Sequence, residues 1–269
     1  MTFEMAGPAW LFCPADRPER FAKAAAAADV VILDLEDGVA VADREAARKA
    51  LVDTQLDPTT TVVRLNPVGT PDHQRDRDAL IRTHYSTVML AKTESAQQVG
   101  SLGPLSVIAL IETPLGAVNV AECAREDNVV GVMWGSEDLF AALGGTANRK
   151  PDGTLRDVAR HVRSSSLLAA KAFGRFALDS VFLDIKDLEG LRAEVDDAVA
   201  VGFDAKVAIH PSQVPVIREG YLPPPDQVEW ARRVVEAARD SRGVFQLDGK
   251  MVDMPVLRRA QQIVKLSQR

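Results

Sequence analysis

Two short stretches each end in a carboxylate, and carboxylates so placed are the raw material of a hard-metal site. One is Val107-Ile108-Ala109-Leu110-Ile111-Glu112-Thr113-Pro114; the other is Val129-Val130-Gly131-Val132-Met133-Trp134-Gly135-Ser136-Glu137-Asp138. Each is an apolar, β-branched run of strand length, the pattern of a strand buried on both faces of a parallel sheet. Each then stops at an acid beside a turn signal, Pro114 or Gly135-Ser136. Parallel α/β folds place their ligands at the carboxyl ends of such strands. Acids at successive strand ends are neighbours, and Mg²⁺ accepts one or two carboxylates while keeping positions open for substrate. Glu112 and Asp138 are therefore candidate metal and substrate ligands. Taken singly, each also suits a helix N-cap or first turn.

Polar or charged residues recur at other strand ends: Glu36, Asp37, Arg64, Lys92, Asp184 and His210. A barrel shaped only for stability has no use for so many, whereas a catalytic mouth does. Arg64 lies inside the apolar run Thr61-Val62-Val63-Arg64-Leu65-Asn66, where a guanidinium needs a partner. Asp37 or Glu36, one strand earlier, is the expected partner, and the free side of the fork then suits a substrate carboxylate. A purely structural ion pair is the alternative. Lys92 has two roles open to it, a Schiff-base nucleophile of lowered pKa or a spectator cation pairing with Glu112. His210 reads as a hydrogen-bonded wall residue or a catalytic group. His73, His84 and His161 read as surface, and Cys13, with no accompanying His pattern, as packing.

These positions require a scaffold that gathers strand ends. Strands are expected at Trp10-Leu11-Phe12, Val30–Leu35, Thr61–Asn66, Thr87–Lys92, the two opening stretches, Ser180–Leu183 (ending at Asp184) and Lys206–Ile209 (ending at His210). Helices are expected between them: one from near Pro18, one from an N-cap at Asp43 to Leu51, one carrying Leu155, Val158 and Val162 at helical spacing, and one from Leu188 to Val201 before Gly202. Eight strands alternating with helices predict a (β/α)₈ TIM barrel over residues 1–222. Pro223-Pro224-Pro225 is a stiff break. Residues 223–269 then form a C-terminal helical extension: Val228, Ala231, Val235 and Ala238 make an apolar stripe, Gly243–Gly249 a turn region, and Met254–Leu266 a last helix. This extension either closes the same barrel or packs as an arm on a neighbouring subunit.

Composition sets limits. The 269 residues are 46% hydrophobic, ample for one large core, and the net charge of −6 without a basic cluster argues against a nucleic-acid partner. Cys13 and Cys123 make no disulfide framework, and Met1–Met5 has neither the basic nor the apolar region of a leader. Ala24–Leu33, broken by Asp29, is too short to cross a bilayer. The expected setting is the cytoplasm, away from membranes.

Several separate motifs resemble the citrate lyase β-subunit-like family of the HpcH/HpaI aldolase superfamily. They are Asp16-Arg17-Pro18-Glu19-Arg20-Phe21, Leu33-Asp34-Leu35-Glu36-Asp37-Gly38-Val39, Val63-Arg64-Leu65-Asn66, Leu110-Ile111-Glu112-Thr113, Gly135-Ser136-Glu137-Asp138-Leu139, Ala208-Ile209-His210-Pro211-Ser212-Gln213 and Met251-Val252-Asp253-Met254-Pro255. The resemblance runs from about residue 9 to the C-terminus. It implies a Mg²⁺-dependent barrel that makes or breaks a carbon–carbon bond in a 3-hydroxyacyl-CoA or carrier thioester of citryl, malyl, citramalyl or hydroxymethylglutaryl type. Acetyl-CoA and an oxoacid are released, or joined in reverse. On that resemblance Glu112 and Asp138 match the metal ligands, and Arg64 matches the arginine that holds the oxoacid. Backbone N–H groups at Gly135, Ser136 and Glu137 would cradle its carboxylate. Asp253 matches an acid supplied across a subunit interface of a homo-oligomer, trimeric or hexameric, and Asp253, Asp37, Glu36 and His210 are candidates for proton transfer. Pro8-Ala9-Trp10 and Ala15 depart from the pattern of relatives in a loop that bears on CoA contacts. Two other classes remain: a metal-free class I aldolase using Lys92, and a non-catalytic subunit of a carrier-protein lyase complex.

Overall fold

The buried apolar runs pair edge to edge, all in parallel, until the sheet closes on itself. The computed structural model describes residues 3–239 and 243–267, so Met1 and Thr2 lie outside it. Strands β1 (Ala9–Pro14), β2 (Val30–Asp34), β3 (Thr61–Leu65), β4 (Thr87–Leu90), β5 (Ser106–Ile111), β6 (Val129–Trp134), β7 (Phe176–Asp179) and β8 (Ala205–Ala208) form a closed barrel in chain order. β8 returns to β1 through Trp10 opposite Val207. Helices α1 (Phe21–Ala27), α2 (Arg44–Asp53), α3 (Pro71–Leu80), α4 (Ala96–Gly100) and α5 (Pro114–Arg125) follow β1 to β5 in turn. α6 (Ser136–Ala142) and α7 (Asp157–Ala172) follow β6, α8 (Leu188–Val201) follows β7, and α9 (Gln213–Tyr221) follows β8. The chain is a (β/α)₈ TIM barrel continued by C-terminal helices.

Local chemistry explains most element ends. Thr70, Ser95, Thr113 and Asp187 each accept a backbone N–H three residues on, capping α3, α4, α5 and α8. Gly202 ends α8 in the left-handed conformation at φ 105°. Four expectations shift. A 3₁₀ turn (Pro18–Arg20) precedes α1, and Asp43 sits in another such turn without a side-chain cap bond to α2. Leu155 lies before α7, bridged to Arg149, and Val158 is half exposed; the buried positions of α7 are Ala159, Val162, Ser166, Ala169 and Ala170. The seventh strand is Phe176–Asp179 rather than Ser180–Leu183. The apolar run continues past the strand end, so Val181-Phe182-Leu183 mimics a strand while forming the following loop, and the acid at the strand end is Asp179, not Asp184.

Period-two alternation fills the barrel interior. Trp10, Val30, Ile32, Val62, Met89, Ile108, Leu110, Met133, Leu178, Ala205 and Val207 make one cluster with a contribution from every strand. The chain divides into two compact units, Met1–Ile217 and Arg218–Arg269, the division falling inside α9 rather than at the proline run. In the second unit α10 (Pro225–Arg239) and α11 (Met254–Leu266) enclose Ala231, Val234, Val252 and Ala260. The Gly243–Gly249 turn region contains more structure than expected: β9 (Phe245–Leu247) and β10 (Lys250–Val252) form a hairpin. Its tip is Asp248-Gly249, both at positive φ (51° and 74°), as a two-residue hairpin turn demands.

Candidate active site

The alternation that packs the barrel also sets its mouth. Two residues beyond Ile32, Val62 and Leu110, on the same inward faces, come Asp34, Arg64 and Glu112. β2 and β3 pair with Asp34 opposite Arg64. Arg64 is 9% exposed, and its fork is held by Asp34: Nε donates to Oδ1 at 2.7 Å and Nη2 to Oδ2 at 2.6 Å. The expected partners take lesser places. Glu36 Oε2 lies 3.2 Å from Nη1, and Asp37 pairs with Lys92 instead. Phe12 lies beneath the guanidinium, ring centroid 4.7 Å from Cζ. Burial opposes the charge of Arg64, but Asp34 and Glu36 hold its pKa above the ordinary value.

Asp34 was missing from the expected site because it reads as the interior of an apolar strand. Its signal is the register: the residue that pairs with a buried arginine is the one able to neutralise it.

Lys92 turns into the same mouth from a left-handed backbone at φ 50°. Its Nζ pairs with Glu36 and with Asp37 at 2.9 Å, and lies 3.6 Å from Asp138. With Glu112 it interacts through its backbone, N–H donating to Oε1 at 2.9 Å. Burial works against the ammonium, yet the Glu36 and Asp37 bonds raise its pKa above the ordinary lysine value. Glu36 moves up through burial, the opposing pull of Arg64 and Lys92 being smaller. Against burial, Lys92 holds Asp37 below the usual range.

Glu112 is buried, and its pKa is pushed up to about 8, first by burial and then by Asp138 and Glu36 against the pull of Arg64 and Lys92. Gly135 allows the close approach: a Cβ there would lie 2.9 Å from Glu112 Oε2. The Gly135 N–H is already donated to Ile111 O at 2.9 Å, so of the three expected donors Ser136 and Glu137, in the first turn of α6, remain to offer N–H groups to an anion. Ser136 Oγ and Asn148 Nδ2 both donate to Glu137 Oε1, tying the loop after α6 to that turn. Asp34, Glu36, Asp37, Glu112 and Asp138 thus share the mouth with two cations, Arg64 and Lys92. Among the described residues no group of three or more His, Cys, Asp or Glu side chains is arranged to hold a metal. A carboxylate pair completed by water and substrate is how Mg²⁺ is commonly held, and the excess of carboxylates around Glu112 fits a divalent cation there.

Other expected residues fall outside this cluster. His210 Nδ1 bonds Ser212 Oγ at 2.8 Å on the surface, and His73 is buried rather than exposed, its Nδ1 2.8 Å from Asn66 O. Helical spacing hid that burial because α3 is polar on average while its inner face carries His73 and Asp76. Cys13 is buried, and burial pushes its thiol to about 11, as packing requires. Asp253 lies in the second unit, where Oδ1 accepts the Val256 N–H at 3.2 Å and caps α11.

On the outer face of the barrel, Asp179 accepts from Trp134 Nε1 (2.7 Å) and Arg163 Nε (3.0 Å) and meets the fully buried Lys206 at 3.2 Å. Nearby, a cavity of about 750 Å³ is lined in part by Trp134, Asn148, Arg149, Phe182 and Glu194.

Known proteins resemble this chain in sequence and fold. The sequence matches the family described as HpcH/HpaI aldolase/citrate lyase over residues 9–211. The citrate lyase subunit beta-like protein of Mycobacterium tuberculosis is 62% identical over 265 residues, 98% of this chain and 97% of that one. The mitochondrial citramalyl-CoA lyase of Homo sapiens is 31% identical over 272 residues, 89% of this chain and 78% of that one. A crystal structure of the CitE protein from M. tuberculosis, in complex with magnesium, acetoacetate and coenzyme A, matches with a TM-score of 0.95 at 62% identity, covering 98% of this chain and 99% of that one. With a family match across the barrel and relatives aligned along nearly the whole sequence, this chain belongs to the HpcH/HpaI aldolase/citrate lyase family.

Proposed function

We propose that the chain is a Mg²⁺-dependent carbon–carbon lyase acting on a 3-hydroxyacyl-CoA thioester of citryl, malyl, citramalyl or hydroxymethylglutaryl type, whose oxoacid half carries a carboxylate. The observation that carries this is the mouth itself: a forked, buried Arg64 beside a Glu112–Asp138 pair in surroundings rich in carboxylate. The relatives' CoA, magnesium and citramalyl-CoA lyase names point the same way. Glu112 and Asp138 would hold the cation. When bound, Mg²⁺ supplies a Lewis acid that lowers the pKa of the 3-hydroxyl and orients the oxoacid half. Arg64 offers its remaining N–H groups to the oxygen on which charge develops, and the Ser136 and Glu137 N–H groups face the carboxylate. A base takes the hydroxyl proton, with Glu36, Asp37 and a neighbour's Asp253 as candidates. The C2–C3 bond breaks, C3 becomes the oxoacid carbonyl, and the electron pair leaves on the thioester half as an enolate. Protonation at C2 gives acetyl-CoA, and condensation reverses the sequence. The working form is a cytoplasmic homo-oligomer, trimer or hexamer, with the second unit packed on a neighbouring subunit.

The deciding experiment incubates purified protein and Mg²⁺ with citryl-, malyl-, citramalyl- and hydroxymethylglutaryl-CoA while acetyl-CoA and oxoacid are followed. Cleavage of one of them, abolished by chelator, is expected; no cleavage of any rejects the proposal. Lys92 is bound by Glu36 and Asp37 as an ammonium, which suits a positioning cation rather than an amine nucleophile. Borohydride with oxoacid should therefore leave Lys92 unmodified, and a trapped adduct would establish the class I route.

A further inference from the structure

We propose that Asp34 is a positioning residue of this mouth, acting on the reaction through Arg64; the assignment rests on the lyase chemistry above. Asp34 ends β2, is 2% exposed, and spends its whole carboxylate on protein donors. Oδ1 accepts from Arg64 Nε (2.7 Å) and Glu36 N (2.9 Å); Oδ2 accepts from Arg64 Nη2 (2.6 Å) and Gly38 N (2.8 Å). A carboxylate offers about four acceptor sites, so Asp34 keeps none for substrate. It is a hub. It fixes the plane of the guanidinium, and it fixes the turn that carries Glu36 and Asp37 into the same mouth. Gly38 belongs to the device, because a Cβ there would fall 2.2 Å from Asp34 Oδ2.

The guanidinium is constrained on every side. Asp34 takes Nε and one proton of Nη2, Glu36 meets Nη1 at 3.2 Å, and the Phe12 ring covers one face. One N–H on each terminal nitrogen remains to face a reacting oxygen. Asp34 partly cancels the charge of Arg64, so its benefit to the reaction is orientation. Orientation and charge then predict opposite results for Asp34→Asn. If charge governed, removing the carboxylate would tighten anion binding; if orientation governs, binding and turnover both fall.

The test uses Asp34→Asn and Gly38→Ala, each in the native sequence and with Arg64→Ala. Turnover of the thioester and calorimetric affinity for pyruvate, both with Mg²⁺, are the readouts. Asp34→Asn should lower kcat about 100-fold, the scale of a misaligned reacting group, and weaken pyruvate binding. In the Arg64→Ala background it should leave pyruvate binding unchanged and lower turnover far less, only through the turn that carries Glu36 and Asp37. Gly38→Ala keeps every charge but displaces the carboxylate, and should give a smaller loss whose effect on pyruvate binding vanishes without Arg64. Gly38 is exposed and its φ lies outside the left-handed region, so this variant decides the matter if Asp34→Asn fails to fold. Losses that persist in full without Arg64, tighter pyruvate binding in Asp34→Asn, or native behaviour of the variants would each overturn the assignment. If the native protein cleaves no thioester, the lyase proposal fails separately, and the pyruvate titrations still judge the coupling of Asp34 to Arg64.

Discussion

Glu112 is where burial and chemistry meet most sharply. Its folded-state pKa, pushed up to about 8 from 4.5, means that the protein holds this group better neutral than ionised. A carboxyl with a raised folded pKa stabilises fully below its unfolded value, and that stability is lost as pH rises through the folded one. Metal-free protein should therefore lose stability from about pH 4.5 up to about 8, by at most about 1.4 kcal/mol per pH unit from this group. Thermal melts of native protein and Glu112→Gln across that range check it: the native midpoint should decline relative to the variant, and Mg²⁺, which binds the ionised form, should remove the decline. Parallel pH profiles without metal would dismiss the shift. Arg64 makes the second residue-scale case. Arg64→Lys keeps the charge but cannot form the fork seen with Asp34 at 2.7 and 2.6 Å, so kcat/KM should fall on the order of 100-fold. Near-native kinetics would make Arg64 a structural cation. Glu112, Asp138 and Arg64 were legible because a charge at the end of an apolar run is conspicuous. Asp34 was not, since its meaning appears only when two strands distant in sequence are paired.

At the scale of the element, the β6–α6 turn shows how a backbone position governs a side chain one strand away. Gly135 has an ordinary φ of −124°, so glycine is not needed there for conformation. It is needed for space, because a Cβ would stand 2.9 Å from Glu112 Oε2 and 3.0 Å from Glu112 Cβ. Gly135→Ala should displace Glu112, weakening Mg²⁺ binding by about 10-fold or more and lowering stability by about 1–3 kcal/mol. Calorimetric titration and a thermal melt measure both, and unchanged affinity would detach Glu112 from the metal site. Parallel strands buried on two faces announce themselves as β-branched runs, which is why seven of the eight were found close to their places. β7 slipped because four residues, Phe176–Asp179, are followed by an equally apolar loop. The β9–β10 hairpin escaped for a related reason: its three-residue strands are too short for alternation to register, and only Asp248-Gly249 marks the turn.

The whole molecule adds a second unit to a barrel that already closes through β8 and β1. Alternation of strands and helices made the barrel readable from the sequence, whereas an apolar helical stripe marks the helices of the second unit without saying what they serve. Asp253 concentrates the question. It opens α11, and its Oδ1 accepts the Val256 N–H at 3.2 Å, which is what a capping aspartate does. A cap and an acid contributed to another subunit are compatible, since a carboxylate has a second oxygen. If Asp253 is only a cap, Asp253→Ala should cost about 1 kcal/mol of stability and leave turnover intact. If it completes a neighbour's mouth, Asp253→Ala should be as inactive as Arg64→Ala while remaining folded. Mixing the two variants under conditions that exchange subunits separates these outcomes. Half of the subunits then carry Arg64 and half of their neighbours carry Asp253, so roughly a quarter of native turnover should return. Recovery that grows with exchange time and disappears when exchange is blocked would place Asp253 in a shared site. Mixed oligomers that form and stay inactive, or an active Asp253→Ala, would confine the chemistry to one barrel and leave Glu36 and Asp37 as its bases.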